Sequence, residues 1–180
     1  MFLFETNRLI LRDLREDDID GMYALDSNPE VHRFLGNQPN FDKKKTEELI
    51  QYIRSQYQNF GIGRWAAVEK ATGKFVGWSG LKYVTESHSD RINYYDVGYR
   101  FLPEFWGKGY ATESAIFSIE YGFNVMNLSE IIGTCHEGNL ASRRVLEKCG
   151  LKFVDQFYWK DIRCDWLKLT QADWKTSKSK

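Results

Sequence analysis

Hydrophobic positions recur along this chain in short bursts, and the period of each burst assigns it to a strand or a helix. Residues 7–12, Asn-Arg-Leu-Ile-Leu-Arg, are a brief apolar run that reads as a first strand. Arg15-Glu16-Asp17-Asp18 then opens a helix through Met22, Tyr23 and Leu25, its acids at the positive end of the helix dipole. Ser27-Asn28-Pro29-Glu30 breaks that helix, and a short one is expected over residues 31–35, followed by a loop over 36–40. From about residue 42 to 59, Leu49, Ile50, Ile53 and Tyr57 return at helical spacing until Gly61 and Gly63 stop the pattern. Helical segments ahead of any hairpin put a helical flap beside whatever the later sheet binds.

The middle of the chain switches to strand periods. Residues 65–69 and 75–81 flank a turn at 71–74 and predict a hairpin. A polar loop over 85–90 precedes a long strand, 91–101, that runs into Pro103. A turn with Gly107 and Gly109 follows, then an amphipathic helix from Tyr110 to about Val125 that buries Ala111, Ser114, Ala115, Ser118, Ile119 and Phe123. A strand over 128–136 centres on Ile131 and Ile132. Asn139 caps the next helix and Gly150 ends it. Strands over 151–159 and 162–169 close the pattern. The order is α+β, with one strand–helix–strand crossover in the middle, in a single domain over residues 1–170. Residues 171–180 read as a polar, frayed tail.

Composition narrows the function. The 180 residues carry 25 basic and 25 acidic side chains, so the net charge is zero, which argues against nucleic acid as the main partner. No stretch approaches a membrane span, and Met-Phe-Leu-Phe-Glu does not read as a leader. Cys135, Cys149 and Cys164 are odd in number and widely spaced, with no Cys-x-x-Cys. His32, His88 and His136 are scattered. These patterns predict no metal site and thiols of a reducing, cytoplasmic compartment.

The stretch with chemistry in it is Val97 to Glu113. Strand, glycine turn and helix start together suit phosphate, because the first N–H groups of a helix lack internal partners and sit at its positive end. Gly107 and Gly109 permit close backbone approach, and Lys108 adds a charge. A P-loop needs Gly-x-x-x-x-Gly-Lys-Ser/Thr, which Gly107-Lys108-Gly109-Tyr110 does not supply. A dinucleotide fingerprint needs a third glycine where Thr112 stands. Coenzyme A is the remaining phosphate ligand, and a corner with no ligand at all fits the spacing equally well.

At this turn, Glu104-Phe105-Trp106-Gly107-Lys108-Gly109 resembles the Gln/Arg-x-x-Gly-x-Gly/Ala motif of the GNAT N-acetyltransferases. The run through Tyr-Ala-Thr-Glu is similar to the RimJ/RimL-like branch. Glu104 departs from the usual Gln or Arg. About 30 residues on, Asn-Leu-Ala-Ser-x-x-Val-Leu-Glu-Lys-Cys-Gly-Leu, residues 139–151, resembles that branch's second cofactor motif. Glu5-Thr6-Asn7-Arg8-Leu9-Ile10-Leu11-Arg12 is similar to its opening. The resemblance covers residues 5 to 169. It implies a mixed, mostly antiparallel sheet, splayed in a V and flanked by helices, and acetyl-CoA as cofactor. It implies that the amides of Gly107, Lys108, Gly109, Tyr110, Ala111 and Thr112 cradle pyrophosphate and that the Phe101 backbone pairs with the pantetheine arm. Asn139 would bond that arm, and Arg143 would reach a phosphate.

The implied reaction is attack of a neutral amine on a thioester. It needs a base, because a lysine amine has a pKa of about 10.4 and an α-amine about 7.7–8.0. It also needs an oxyanion donor, which a backbone N–H on the splayed strand would supply, and a proton for the leaving thiolate. Many family members carry a tyrosine seven residues after the helix asparagine. Here that residue is Leu146, and Ser142 is the substitute the branch suggests, unless it only packs on the helix surface. Asp96 occupies the place of the strand carboxylate, as base or as a plain polar residue, with Glu69 and Glu137 in reserve. Cys135 and His136 are expected to line the site and Trp106 to join the core. The acceptor would be a protein N-terminus, that of a ribosomal protein included, or a small amine such as a polyamine or aminoglycoside. The flap, residues 16 to 60, and the loop 84 to 92 would select it. The protein would be a monomer or homodimer. The rival readings are an acyl-CoA sensor with little or no catalysis, which Leu146 favours, and a nicotinamide-dependent oxidoreductase.

Overall fold

The computed structural model describes residues 2–88 and 90–178. In chain order the elements are β1 (Leu3–Glu5), β2 (Leu9–Arg12), a 3-10 turn (Glu16–Asp18), α1 (Ile19–Asp26), α2 (Pro29–His32), α3 (Lys43–Phe60), β3 (Arg64–Glu69), β4 (Phe75–Val84) and β5 (Tyr94–Phe101). A second 3-10 turn (Pro103–Phe105), α4 (Tyr110–Asn124), β6 (Glu130–His136), α5 (Leu140–Lys148), β7 (Lys152–Trp159), β8 (Ile162–Thr170) and α6 (Gln171–Lys178) complete it. The strands form one sheet in the order β1-β2-β3-β4-β5-β6-β8-β7.

The pairing changes character at the centre of that sheet. β4 and β5 are antiparallel over eight residue pairs, from Gly77↔Phe101 to Val84↔Tyr94. β5 and β6 are parallel and share the single register pair Asp96↔Ile132. Beyond Asp96 the two strands diverge, and residues 97–101 lose their partner on that side. The α4 crossover spans this gap. Unpaired main-chain groups are costly unless something completes the ladder, so the splay leaves a strand-shaped vacancy with donors and acceptors along its edge.

Alternation along β5 sends its side chains to two different layers. Val97, Tyr99 and Phe101 face the core shared with α4 and α5, where Ile119, Phe123 and Leu146 are buried. Arg100 and Asp96 face the layer of α1 and α3, beside the core of Leu14, Met22, Leu25, Ile50 and Ile53. Trp65, fully buried, knits β1 and α4 together. Phe2, Phe4, Phe117 and Tyr121 stand around its ring at centroid distances of 5.0 to 6.1 Å.

Several expectations shift. β1 is an added edge strand too short to carry a period. Asn28 accepts the Glu30 N–H at 2.9 Å with Pro29 behind it, so the short helix starts two residues early and ends at His32. β5 begins at Tyr94 because Asn93 takes a positive φ of 60° and His88 bridges Arg91. Residues 171–178 are helix, not frayed tail: Trp174 stacks on Phe123 at 5.2 Å, and Thr170 Oγ1 accepts the Asp173 N–H. The last two tail residues lie outside the described residues. Trp106 is no core residue; it is 48% exposed, and its indole N–H donates to the Phe101 carbonyl at 2.7 Å.

Candidate active site

The splay opens into a cleft of about 720 Å³ that runs from the start of α4 to the far side of the sheet. Gly107, Gly109, Tyr110, Ala111 and Thr112 line one end; Phe101, Tyr99, Gly98, Val97 and Asp96 line the β5 wall; Thr134, Cys135, His136, Asn139 and Ser142 line the wall opposite.

The α4 end is built for an anion. Gly107 and Gly109 have φ of +73° and +82°, a region that side chains resist, and a Cβ on Gly107 would project into open space. Gly109 is the N-cap and offers no side chain, so the first amides of a 15-residue helix keep no internal partner. Glu113 anchors this end. Its carboxylate accepts the Thr6 hydroxyl at 2.6 Å, the Arg8 N–H at 2.7 Å and Arg8 Nε at 2.7 Å, and lies below the usual range for that reason. Arg8 Nη1 also donates to the Lys108 carbonyl, and its guanidinium sits 4.7 Å from the Tyr110 ring centroid. Arg8 thus adds a fixed cation beside the turn. Sequence reasoning missed it, although it stands in the opening motif. Lys108 itself rests its ammonium over the Phe105 ring at 4.8 Å, outside the cleft lining.

The α5 wall holds the other motif. Asn139 Oδ1 accepts the Ser142 N–H at 3.1 Å, so the residue caps α5, while its amide NH₂ has no protein partner among the described residues and the side chain lines the cleft. Arg143 does not face it. The carboxylate of Asp165, 1% exposed on β8, draws Nη1 to 2.8 Å, and Glu147 takes Nε at 2.9 Å. A buried carboxylate needs a cation, and that need turns Arg143 outward, against the expectation of a phosphate contact. Arg144 and Lys148 line the cleft in its place.

Two polar groups line the cleft near the splay, one on each face of the sheet. On the α5 side, the Tyr99 hydroxyl donates to the Ser142 carbonyl at 2.9 Å and lies 3.1 Å from Ser142 Oγ. Burial pushes that phenol above its ordinary pKa, so it stays protonated. Leu146, 1% exposed, is core. Tyr99 is a second residue that sequence reasoning passed over; it lies inside the stretch singled out, one alternation from Val97. On the other side, Asp96 Oδ2 accepts Arg64 Nη2 at 2.5 Å, and Arg64 Nη1 donates to the Asp96 carbonyl at 2.7 Å and to the Gly80 carbonyl. Gly98 makes room for this fork: a Cβ there would stand 2.6 Å from Arg64 Nη2. Asp96 Oδ1 is buried with no partner. Burial raises the Asp96 carboxyl above the usual range, Arg64 opposing. The reserve carboxylates stand elsewhere. Glu69 accepts the Tyr110 hydroxyl at 2.5 Å and the Thr72 hydroxyl, and Glu137 pairs with Arg163; neither lines the cleft.

Cys135 and His136 line the cleft as expected. Burial pushes the Cys135 thiol up to about 12, so it is no thiolate at neutral pH. His136 Nδ1 accepts the Gly138 N–H, and its ring leans on Phe34 from the α2 side at 5.3 Å. The three cysteines are free, and among the described residues no group of three or more His, Cys, Asp or Glu side chains could hold a metal. No helix among them is long and apolar enough to cross a membrane.

Comparison with known proteins bears on this geometry. Residues 8–152 match the family model described as an acetyltransferase (GNAT) domain. A curated relative, the FsC-acetyl coenzyme A-N(2)-transacetylase of Aspergillus fumigatus, is 34% identical over 161 residues, 85% of this chain and 66% of its own length. Among solved structures, spermidine N-acetyltransferase from Vibrio cholerae, in complex with CoA and spermine, superposes with a TM-score of 0.73 at 18% identity, covering 93% of this chain and 98% of its own. The ribosomal-protein-S5-alanine acetyltransferase from Vibrio fischeri does so at 0.76 and 17%, covering 97% and 99%. At those identities the structural likeness speaks for the fold.

Proposed function

The chain belongs to the GNAT acetyltransferase family, and from that premise we propose that it acetylates a primary amine by direct attack, with Asp96 as base and the Tyr99–Ser142 pair as proton source. It is an N-acetyltransferase that uses acetyl-CoA. The observation that carries the proposal is that one cleft is lined both by Asp96, whose buried Oδ1 has no partner among the described residues, and by the hydrogen-bonded Tyr99–Ser142 hydroxyl pair.

Acetyl-CoA supplies the activated acetyl group, and its diphosphate suits the uncapped start of α4, Arg8, Arg144 and Lys148. The edge of β5, residues 97–101, with the Phe101 carbonyl already taken by the Trp106 indole, offers its other main-chain donors and acceptors to an extended arm and an N–H to a developing oxyanion. Asn139 offers its free amide NH₂ to the same arm. Asp96, held by Arg64, takes a proton from the amine at Oδ1, directly or through a water. Its raised pKa makes it a stronger base than an ordinary carboxylate. Ser142 Oγ gives its proton to the departing sulfur, and the Tyr99 hydroxyl beside it can replace that proton. Cys135, held as a thiol, supports transfer without a covalent enzyme intermediate.

The acceptor is a protein or peptide N-terminus, as the RimJ/RimL-like branch would have it, or a small amine. Structural neighbours are named for both kinds of acceptor, a ribosomal protein and spermidine, and at their identities they speak for the fold alone. The three free cysteines support work in the reducing cytoplasm. The test is thioester turnover over a panel of peptides and small amines, with CoA affinity measured alongside. Acetylation of any amine, lost in Asp96→Asn, is expected. Tight CoA binding with no turnover on any acceptor would make the chain an acyl-CoA sensor.

A further inference from the structure

We propose that the guanidinium of Arg100 is an anion subsite, and that the acceptor is an amine carrying a carboxylate at its far end. This rests on the acetyl-transfer reading of the same cleft. Arg100 stands on β5 directly opposite Trp78 on β4, and both line the acceptor half of the cleft under Glu30, Arg33 and Phe34.

What marks Arg100 is how little holds it. Arg12 makes two 2.7 Å bonds to Asp18, and Arg64 is bonded to two carbonyls and a carboxylate. Arg100 has one hydrogen bond, a long one, from Nη1 to Asp26 Oδ1 at 3.3 Å. A guanidinium carries five N–H donors in a planar fork matched to carboxylates. Four of them find no protein partner among the described residues, although the side chain is only 21% exposed. Asp26 is committed elsewhere too, since its other oxygen accepts the Thr46 hydroxyl at 3.1 Å. His32, buried nearby, stays neutral, because burial and Arg100 both depress its pKa. A mostly buried cation with unused donors facing a cleft awaits an anion.

The surrounding charges point the same way. The cations in this half are Arg33, Arg64 and Arg100; the anions are Glu30 at the rim, Asp96 on Arg64 and Asp26 behind Arg100. Among the described residues, no acid besides Glu30 and Asp96 lines the cleft to receive a second ammonium. The Trp78 ring, the other feature that attracts cations, already has Arg64 at 5.5 Å and Arg100 at 5.2 Å. A polyamine would therefore meet two resident guanidinium groups. Asp96 and Arg100 are four residues apart on one strand face, about 13 Å along the backbone, before the arginine side chain reaches back. An amine at Asp96 and a carboxylate at Arg100 thus belong to one extended acceptor, not to a free α-amino acid.

Three acceptors that differ only at the far end decide it: 6-aminohexanoate, its amide and 1,6-diaminohexane. For the wild type, kcat/KM should favour the carboxylate over the amide roughly 10- to 100-fold, the range of a hydrogen bond to a charged group. Arg100→Gln should bring the ratio to about one. The same preference should appear in Kd when 6-acetamidohexanoate and its amide are titrated calorimetrically into the CoA-bound protein. Equal values for carboxylate and amide, or a preference for the diamine, would overturn the subsite. A carboxylate preference in binding, with no turnover of any amine, would defeat acetyl transfer and leave the subsite standing. The wild-type ratio needs no variant, so poor folding of Arg100→Gln leaves the test intact.

Discussion

Asp96→Asn separates the proposed base role of this carboxylate from its hold on Arg64. Asparagine keeps the shape and an oxygen for Arg64 Nη2, but it loses the charge and the basicity. Loss of a general base costs a factor of about 10²–10⁴ in rate, or roughly 2.7–5.5 kcal/mol in the barrier. The effect on stability should be smaller. The Arg64 and Asp96 side chains are 9% and 15% exposed, so the pair is largely desolvated, yet Arg64 keeps the Gly80 and Asp96 carbonyls and an amide oxygen in the variant. Weakening one hydrogen bond to a charged group costs about 1–3 kcal/mol. The pH profile is the sharper readout. The base works ionised, and burial raises its pKa, so wild-type kcat/KM should fall with acidification through a limb above the ordinary carboxylate value of about 3.9. In Asp96→Asn that limb should vanish while the limb set by the acceptor amine remains. Stopped thioester assays from pH 4 to 9, with thermal melts of both proteins, give all three numbers. A variant within about threefold of wild type that keeps the acid limb would reduce Asp96 to a structural partner of Arg64.

Other residues offer independent checks. Gly109→Trp puts a bulky side chain at a φ of +82° in the proposed anion cradle, and CoA affinity measured by calorimetry should drop at least about 100-fold while the backbone strain lowers the melting temperature by only several degrees. Ser142→Ala and Tyr99→Phe should each lower kcat about tenfold, and the double variant should lose less than the product of the two, because the hydroxyls lie 3.1 Å apart and act as one relay; multiplicative losses would refute the relay. Trp174→Ala uncovers Phe123 on α4 and should cost about 1–3 kcal/mol in urea unfolding, whereas a frayed tail would give no change.

Much of the fold was legible because its elements are long and periodic. α3 and α4 repeat apolar residues at helical spacing, and the β3–β4 hairpin brackets its turn with Thr72 and Gly73. What was missed has no period to read. β1 is three residues long, and α6 is held by contacts made across the chain, Trp174 on Phe123, Lys152 on Asp173 and Lys178 on Glu120 among them. The site divides in the same way. Gly107, Gly109 and Asn139 act through backbone conformation and capping, which local sequence encodes, and the structure puts all three on the cleft. Arg143 and Arg144 are neighbours in sequence, and only the buried charge of Asp165 on another strand decides which one turns inward. Trp106 was expected in the core from its size, but the corner leaves it outside with its N–H on Phe101. Tyr99, on the cleft lining, and Arg8, beside the glycine turn but off that lining, are placed by partners about 43 and 100 residues away.

On the proposed roles, the alternation of β5 would let base and acid act on one thioester without obstructing each other. Asp96 and Tyr99 are three residues apart, so they project from opposite faces of the strand, one toward α1 and α3, the other toward α5. In an ordinary sheet, two such groups could never share a substrate, because the neighbouring strand would close the gap between the faces. Here β6 leaves after Asp96↔Ile132, and the gap becomes a passage through the sheet. An amine can approach from the Asp96 face while the sulfur departs beside Ser142 on the other. On the proposed mechanism the single parallel pair would serve the chemistry as well as the topology, and a change that extended β5–β6 pairing past Val97 to Gly98 should separate the amine from the thioester.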